Sequence, residues 1–331
     1  MTGELAANKR QLKSYLEAFS HPDPDAFDAA IRAHFAPGAA INIVHPINDV
    51  AGPEAYLARF LHPLATAFQG LHRRDYIVTS GAFEAADWVT CTGHWCGTFV
   101  ADWLGIPATG LLTYLRVGEF HRIENGLFVE SYVFLDLPKL MMTAGVWPIT
   151  DSPGQTRGFT GFLPGPATQD GMRVEVGGTE RSASSAAMVT DMLRALATED
   201  EAWRPYWHPN MAWYGPAAFG AFLGIEDFAS FQVPFESAFE GWSGGAAGNG
   251  ITRHFTRAAD GDYIWTGGWP SLTGVQVKPF LDQPAQGQRV FMRVCDWWRR
   301  EDDLLVENWV FVDIPHVLAA LGRDLFEGVE A

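Results

Sequence analysis

Residues 104–145 read LGIPATGLLTYLRVGEFHRIENGLFVESYVFLDLPKLMMTAG. Leu111 to Ile123 alternates as a strand, Glu124-Asn125-Gly126 is an Asn-Gly hairpin turn, and Leu127 to Leu135 is a second β-branched and aromatic run. The stretch therefore predicts two long antiparallel strands feeding a short helix. Strand residues two apart share a face, which sets Val117, Glu119 and His121 together and turns Arg116, Phe120 and Arg122 the other way. An acid and a histidine among Leu115, Val117 and Ile123 mark either a pocket or a satisfied core pair.

The pattern returns near the C-terminus as Val290 to Arg299, a turn at Glu301-Asp302-Asp303, and Leu304 to Val312. Glu119 lines up with Asp296, Glu130 with Glu307, Tyr132 with Trp309 and Asp136 with Asp313, all at one offset (296 − 119 = 177; 313 − 136 = 177). Upstream, Gly52-Pro53-Glu54-Ala55-Tyr56 matches Gly224-Ile225-Glu226-Asp227-Phe228, and Thr92-Gly93-His94-Trp95 matches Thr266-Gly267-Gly268-Trp269. A period this long means two copies of a whole domain rather than a solenoid unit.

The 331 residues, 47% hydrophobic and 13% aromatic, suffice for two cores. A net charge of −16 and a pI near 4.9 oppose nucleic-acid backbones and anionic membranes, leaving a small apolar molecule as the expected partner. Cys91, Cys96 and Cys295 are too few for a disulfide framework, and neither a signal core nor a membrane-length apolar run occurs, so the expected compartment is the cytoplasm.

In chain order, helices are expected at Glu4–Phe19, Asp25–Phe35 and Gly52–Phe68, with a short strand at Ala39–His45. Strands follow at Tyr76–Val78, Ala82–Ala85, Trp88–Val100, Leu111–Ile123 and Leu127–Leu135. Helices first and then a meander argue an α+β cone rather than alternating βαβ units. Trp147 to Arg181 is rich in Pro, Gly, Thr and Ser and reads as an irregular linker, giving domains at 1–147 and 184–331 joined by 148–183. The second copy repeats the helices at Ser185–Ala197, Asp200–Trp207 and Glu226–Phe239 and the short strand at Met211–Tyr214, and adds a glycine-rich loop at Ser243–Gly250. Two fused copies are expected to pack as a pseudo-dimer within one chain, with a homodimer as a further possibility.

Gly241-Trp242-Ser243-Gly244-Gly245 fits G-x-S-x-G, but here a helix is expected before it and coil after it, the reverse of a nucleophile elbow. No P-loop, dinucleotide fingerprint or HExxH occurs, and the histidines lack metal-ligand spacing, so neither a metal nor a cofactor is expected. The candidate catalytic residues are Glu119, His121, Asp296 and His94. A carboxylate between Val117 and His121 would have its pKa raised by desolvation and suit proton transfer, unless an arginine such as Arg122 or Arg32 pairs with it. His94 is either a participant or a half-exposed residue of the outer face. Trp88, Trp95, Val117, Val133, Tyr114, Trp213, Trp269 and Trp298 are the candidate ligand-lining residues, core positions in the alternative. Glu130 and Glu307 are expected to hold the sheet, Asp136 and Asp313 to cap helices.

LGIPATG followed by FHRIENGLFVESYVFLDLPKLMMTAG resembles the SnoaL-like polyketide cyclase family, within the nuclear-transport-factor-like superfamily that also includes ketosteroid isomerase and scytalone dehydratase. The second half, with Pro284-Ala285-Gln286-Gly287 and VENWVFVDIPHVLAALG, resembles a more diverged copy. The resemblance implies two tandem cone-shaped α+β barrels, each a curved antiparallel sheet with three N-terminal helices and an apolar interior. It also implies cofactor-independent ring closure by an aspartate after the aromatic of an E-x-W-like motif, aided by a histidine on the preceding strand. This chain departs at both places: Val133 and Val310 hold the aspartate position, Glu119 and Asp296 the histidine position. The expected function is a cyclase, isomerase or hydratase type of acid/base chemistry on a small apolar carbonyl compound, Glu119 acting as base in the first domain. The alternative is a non-catalytic tandem ligand-binding or scaffold protein of the same fold.

Overall fold

The computed structural model describes residues 2–158, 162–196, 201–246 and 252–329. The chain is α+β and divides into two compact units. One comprises 1–147, 161–176 and 326–331, the other 148–160 and 177–325.

In the first unit α1 (Thr2–Glu17) and α2 (Pro24–His34) precede the sheet. Asp23 ends the gap between them by accepting from Ala26 N at 3.2 Å, with Pro24 preset for the first turn. β1 (Phe35–Ile43) and β2 (Val50–Ala51) follow, then α3 (Gly52–Tyr56), a π-helical turn (Leu57–Leu61) and α4 (His62–Ala67). The expected single helix over Gly52–Phe68 is thus interrupted; Pro63 has no N–H to give the carbonyl one turn back, and the ladder widens just before it.

β3 (Phe68–Phe83), β4 (Ala86–Phe99), β5 (Leu112–Glu124) and β6 (Leu127–Leu135) complete a six-stranded sheet ordered β2-β1-β6-β5-β4-β3, and α5 (Leu137–Thr143) closes the unit's main run. The β5–β6 hairpin turns on Asn125 and Gly126, both at positive φ (52° and 76°), as an Asn-Gly turn requires. Two expectations are corrected here. The short strands expected at Tyr76–Val78 and Ala82–Ala85 fall on one long β3 that begins at Phe68 and ends at Phe83, with Glu84 and Ala85 forming the turn to β4; its polar run His72-Arg73-Arg74-Asp75, which the pattern assigns to no strand, is strand with buried charges. The sheet is mixed, not purely antiparallel: after the helices and the β3–β5 meander, β6 returns to lie parallel to β1.

Between the main runs of the two units, α6 (Pro153–Thr156) is the first regular element. Of the stretch expected as an irregular linker, residues 162–175 carry no helix or strand but are docked. Val78 N donates to Gly171 O at 2.8 Å, Lys9 and Lys13 reach the carbonyls of Glu175 and Met172, and Phe162 stacks on His94 at 4.7 Å. Gly171 permits this contact, since a Cβ there would lie 2.2 Å from Tyr76 O.

The second unit repeats the plan with losses. α7 (Thr179–Leu196) starts before the expected Ser185, and Ala197 lies outside the described residues. Of the helix expected at Asp200–Trp207, Asp200 also lies outside them, and the rest supplies a 3₁₀ turn (Arg204–Tyr206) followed by β7 (Trp207–Tyr214). β8 (Ala221–Leu223), α8 (Ile225–Ser237), β9 (Phe239–Gly244), β10 (His254–Asp260), β11 (Tyr263–Gln276), β12 (Arg289–Glu301), β13 (Leu304–Val312) and α9 (Ile314–Ala320) follow. The sheet runs β10-β11-β12-β13-β7-β8, β9 pairs with β11, and β13–β7 is parallel, as β6–β1 is in the first unit. Residues 247–250 of the expected glycine-rich loop lie outside the described residues; Ser243 and Gly244 are the end of β9. Asp136 and Asp313 cap α5 and α9, each accepting at 3.3 Å from the third residue on. Glu130 and Glu307 hold neighbouring strands through Arg122 and Arg299.

Candidate active site

In the first unit Glu119, Cys91 and Val133 stand side by side on β5, β4 and β6, facing inward with Val117 and His121. The Glu119 side chain is fully buried. Arg73 Nη1 donates to its Oε1 at 2.5 Å, while Nη2 of the same guanidinium donates to Asp75 Oδ1 at 2.5 Å. His121 Nε2 lies 3.4 Å from Oε2, and its Nδ1 is 2.8 Å from Ser131 Oγ. Burial opposes ionisation of Glu119, but Arg73 and His121 outweigh it and hold its carboxyl down at about 2. Burial likewise keeps His121 below its ordinary value. The expectation of a free, raised carboxyl at Glu119 is overturned, because the partner is an arginine from a segment not assigned to a strand.

The space around the cluster is filled. Tyr15, Phe19 and Phe27 are buried, and Trp95 packs edge-on to Phe19 at 5.5 Å beneath the Arg73 guanidinium. His121 stacks on Phe128 at 4.2 Å. Trp95, Val117 and Val133 are therefore core here. Cys91 Sγ, Glu119 and His121 are close enough to hold a metal ion, but the Arg73 cation already neutralises the carboxylate and would repel a second charge. His94 and Tyr114 sit on the opposite sheet face, beneath Phe162, and Trp88 shares that face beside Tyr132. His94 is buried rather than half-exposed; burial and the nearby Lys139 and Arg116 push its pKa down to about 2, so it is neutral.

The second unit contains a cavity of about 130 Å³ around the matching acid. Asp296, Trp298, Trp213, Val294 and Val310 line it, with Trp207, Phe228, Phe231, Phe235 and Trp242 from the helical side. Asp296 is reachable from this space, unlike Glu119. Asn308 Nδ2 lies 3.4 Å from its Oδ1, and neither lysine nor arginine pairs with it among the described residues. Burial pushes its carboxyl up to about 7 against the hydrogen bonds of Asn308 and Thr266. Trp298, two residues along the same strand face, carries a buried indole N–H without a hydrogen-bond partner among the described residues, as does Trp207. Trp269 does not line the cavity; it stands on a bulge of β11 under Arg293.

Strand register explains why equivalent acids differ. Glu119 and Asp296 oppose Cys91 and Thr266, and both oppose a valine on the next strand. Arg73 is reached through Leu115 and Trp95; the equivalent path through Met292 and Leu272 ends on Gly244. Asp75 is likewise replaced by His254, and His121 by Trp298. The second copy has lost the guanidinium, exchanged an indole for a leucine at Trp95, and gained residues 245–253 where the first has Arg74 alone. Register also shifts the expected match of Thr92 from Thr266 to Gly267, because Trp269-Pro270-Ser271 bulges out where the first copy has His94.

The polar cavity residues missed by sequence reasoning include Gln232, Glu236, His254, Ser271 and Asn308. Glu236 accepts from Gln232 at 2.8 Å, and burial pushes its carboxyl up to about 7. His254 Nε2 is 3.1 Å from Ser271 Oγ, which has the look of a nucleophile and base. The group on Nδ1 is Arg257 at 3.4 Å, however, and burial with that cation pushes His254 down to about 3, the wrong sign for a base-orienting third member. Ser243 of the G-x-S-x-G match faces Thr252 at 3.4 Å, on a strand rather than after a helix. The missed acid had a faint signal: Glu236 falls one helical turn after Gln232 on the apolar face carrying Phe228 and Phe231.

No protein-family description matches the chain, and no curated protein matches it. Solved structures do. A protein described as a candidate SnoaL-like polyketide cyclase from a Jannaschia species is 23% identical, with a TM-score of 0.35, covering 42% of this chain and 92% of its own. A candidate polyketide cyclase from Streptomyces antibioticus is 18% identical, with a TM-score of 0.35, covering 42% and 99%. An LEH-like epoxide hydrolase of M. tuberculosis is 16% identical, with a TM-score of 0.33, covering 44% and 93%. No described helix is long and apolar enough to cross a membrane.

Proposed function

We propose that the second domain is an acid/base catalyst acting on a small apolar carbonyl compound, with Asp296 moving the proton. The observation that carries this is a carboxyl group without a cationic partner in an apolar cavity, beside an unused indole donor on the same strand. A carboxyl near 7 is part ionised at neutral pH, strong enough to accept a proton next to a carbonyl and able to return it. As that proton leaves, negative charge grows on the carbonyl oxygen; the Trp298 N–H, buried and already desolvated, is suited to donate to it. In a compound with a carbon–carbon double bond next to that position, return of the proton at the far carbon of the dienolate isomerises it; in one with a second carbonyl, attack of the enolate there closes a ring and the new alkoxide takes the proton back from Asp296. The cavity is on the scale of the ~150 Å³ apolar voids that admit benzene, which favours a substrate presenting one ring to it. The first domain, with Glu119 neutralised and its interior filled, serves stability in this scheme.

The test is deuterium uptake next to the carbonyl of a bicyclic ketone such as 2-tetralone, followed by proton NMR in D₂O. Wild-type protein is expected to accelerate uptake, Asp296→Asn to lower the rate by roughly 10²–10⁴-fold, and Trp298→Phe by roughly 10²–10³-fold while keeping the ring. Glu119→Gln should leave the rate of folded protein unchanged. Full uptake in Asp296→Asn would remove the proposal.

A further inference from the structure

The cavity holds two carboxyl groups and not one cation: Asp296 on β12 and Glu236 on α8 line it, whereas no lysine or arginine does among the described residues. An apolar carbonyl ligand alone requires only one of these acids. Glu236 comes with its own surroundings. Its backbone carbonyl accepts from Trp242 Nε1 at 2.8 Å, the ring of Trp242 lies 5.3 Å from that of Phe235, and both rings line the cavity. A carboxyl group that shares a cavity with two electron-rich rings matches an ammonium group, whose charge is met by the acid and by the rings together.

We infer that the ligand of this cavity is an organic cation, an apolar body carrying a protonated or quaternary amine that sits between Glu236, Trp242 and Phe235. The inference rests on the proposed function and deepens it: the amine end binds at Glu236, which leaves Asp296 free to work on the rest of the molecule. The titratable groups around the space fit. Glu236 and Asp296 are both pushed up by burial to about 7, so each gains from a cation that replaces its proton. His254 is held neutral by burial and by Arg257, and so adds no positive charge of its own. The further acid Glu201 acts on Glu236 from outside the lining and reinforces the negative field, although Arg204 partly answers it. Gln232, the remaining polar neighbour of Glu236, is uncharged.

The test compares two probes of equal shape, benzyltrimethylammonium and its uncharged isostere neopentylbenzene, by quenching of tryptophan fluorescence in the full chain. At pH 8.5 the cation is expected to bind at least tenfold more tightly than the isostere. At pH 5.5, with both carboxyls protonated, its affinity should fall at least tenfold while that of the isostere stays level. Glu236→Gln should remove most of the preference at pH 8.5 without weakening the isostere, which also shows that the cavity survives the change. Equal binding of the two probes at pH 8.5, or an undiminished preference in Glu236→Gln, overturns the inference. Ketone deuteration separates it from the reading beneath: uptake that depends on Asp296 without any cation preference sinks the amine alone, and a cation preference without Asp296-dependent uptake sinks the catalytic reading alone.

Discussion

Arg73→Met is expected to destabilise the first domain by about 3–5 kcal/mol, the cost typical of stripping one partner from a buried ion pair. Arg73 is the shared cation of Glu119 and Asp75, both of which are essentially inaccessible to water. With the guanidinium gone, two carboxylates remain in a space packed by Trp95, Phe19 and Tyr15, beside a His121 whose proton affinity burial lowers. The pH dependence identifies the cause. Glu119 titrates at about 2 in the folded chain against an ordinary 4.5, so its pairing contributes stability above about pH 4.5 that is lost as pH falls through 2. In Arg73→Met the arginine's share of that contribution is absent and burial is opposed at Glu119 by His121 alone, so the deficit against wild type should be largest at pH 7 and shrink toward pH 4 as the orphaned acids take up protons. Urea unfolding at several pH values measures this, the first transition reporting the weaker unit. A deficit that stays constant with pH would mean that lost packing of the arginine stem on Trp95, not charge, accounts for the effect. Replacing Arg73, Glu119 and Asp75 together by apolar residues of similar size should recover much of the loss, since no buried charge is then left unmet.

Asp296→Asn should have the opposite sign: a gain in stability at alkaline pH together with the loss of proton transfer. The carboxyl of Asp296 titrates near 7 in the folded protein against an ordinary 3.8. Below pH 3.8 both folded and unfolded chains hold the proton and nothing is at stake. Between 3.8 and 7 the unfolded chain releases it while the folded chain keeps it, so wild-type stability declines as pH rises; above 7 the decline levels off. Asparagine has no such dependence and retains an acceptor for Asn308. The variant should therefore match wild type near pH 4 and exceed it by about 2–4 kcal/mol at pH 8.5, from the conversion of 1.36 kcal/mol per pKa unit with allowance for the water that reaches the cavity. Thermal unfolding from pH 4 to 8.5 reads the difference; a flat or inverted profile would place Asp296 in a compensated environment. A residue whose removal stabilises the fold and abolishes chemistry is a mark of a site held at a cost in stability for function.

Both predictions concern acids at the same repeat position, and the contrast marks how far the amino-acid order could be read. The two copies, the hairpin at Asn125-Gly126, the caps at Asp136 and Asp313 and the shared face of Val117, Glu119 and His121 were all legible, because each depends on residues near in sequence or on a fixed strand period. That the cavity around the repeated acid lies in the second copy was not. It turns on what stands across the sheet, and a guanidinium forty-six positions before Glu119 has no local signature linking it to that acid. His72-Arg73-Arg74-Asp75 is assigned to no strand by its pattern, because charge usually means solvent; in the fold the inward members of that run are ion-paired, and strand pairing hides them.

By itself, then, the order of residues determined two α+β domains with an acid at one repeated place on an inward strand face, since periodicity, turn chemistry and capping act over a few residues. Only the tertiary structure decided which acid is silenced and which is available. Strand register brings Arg73 to Glu119 but Gly244 to the matching place near Asp296, and a carboxyl's proton affinity follows the charge and solvent within a few ångströms of it rather than its own identity.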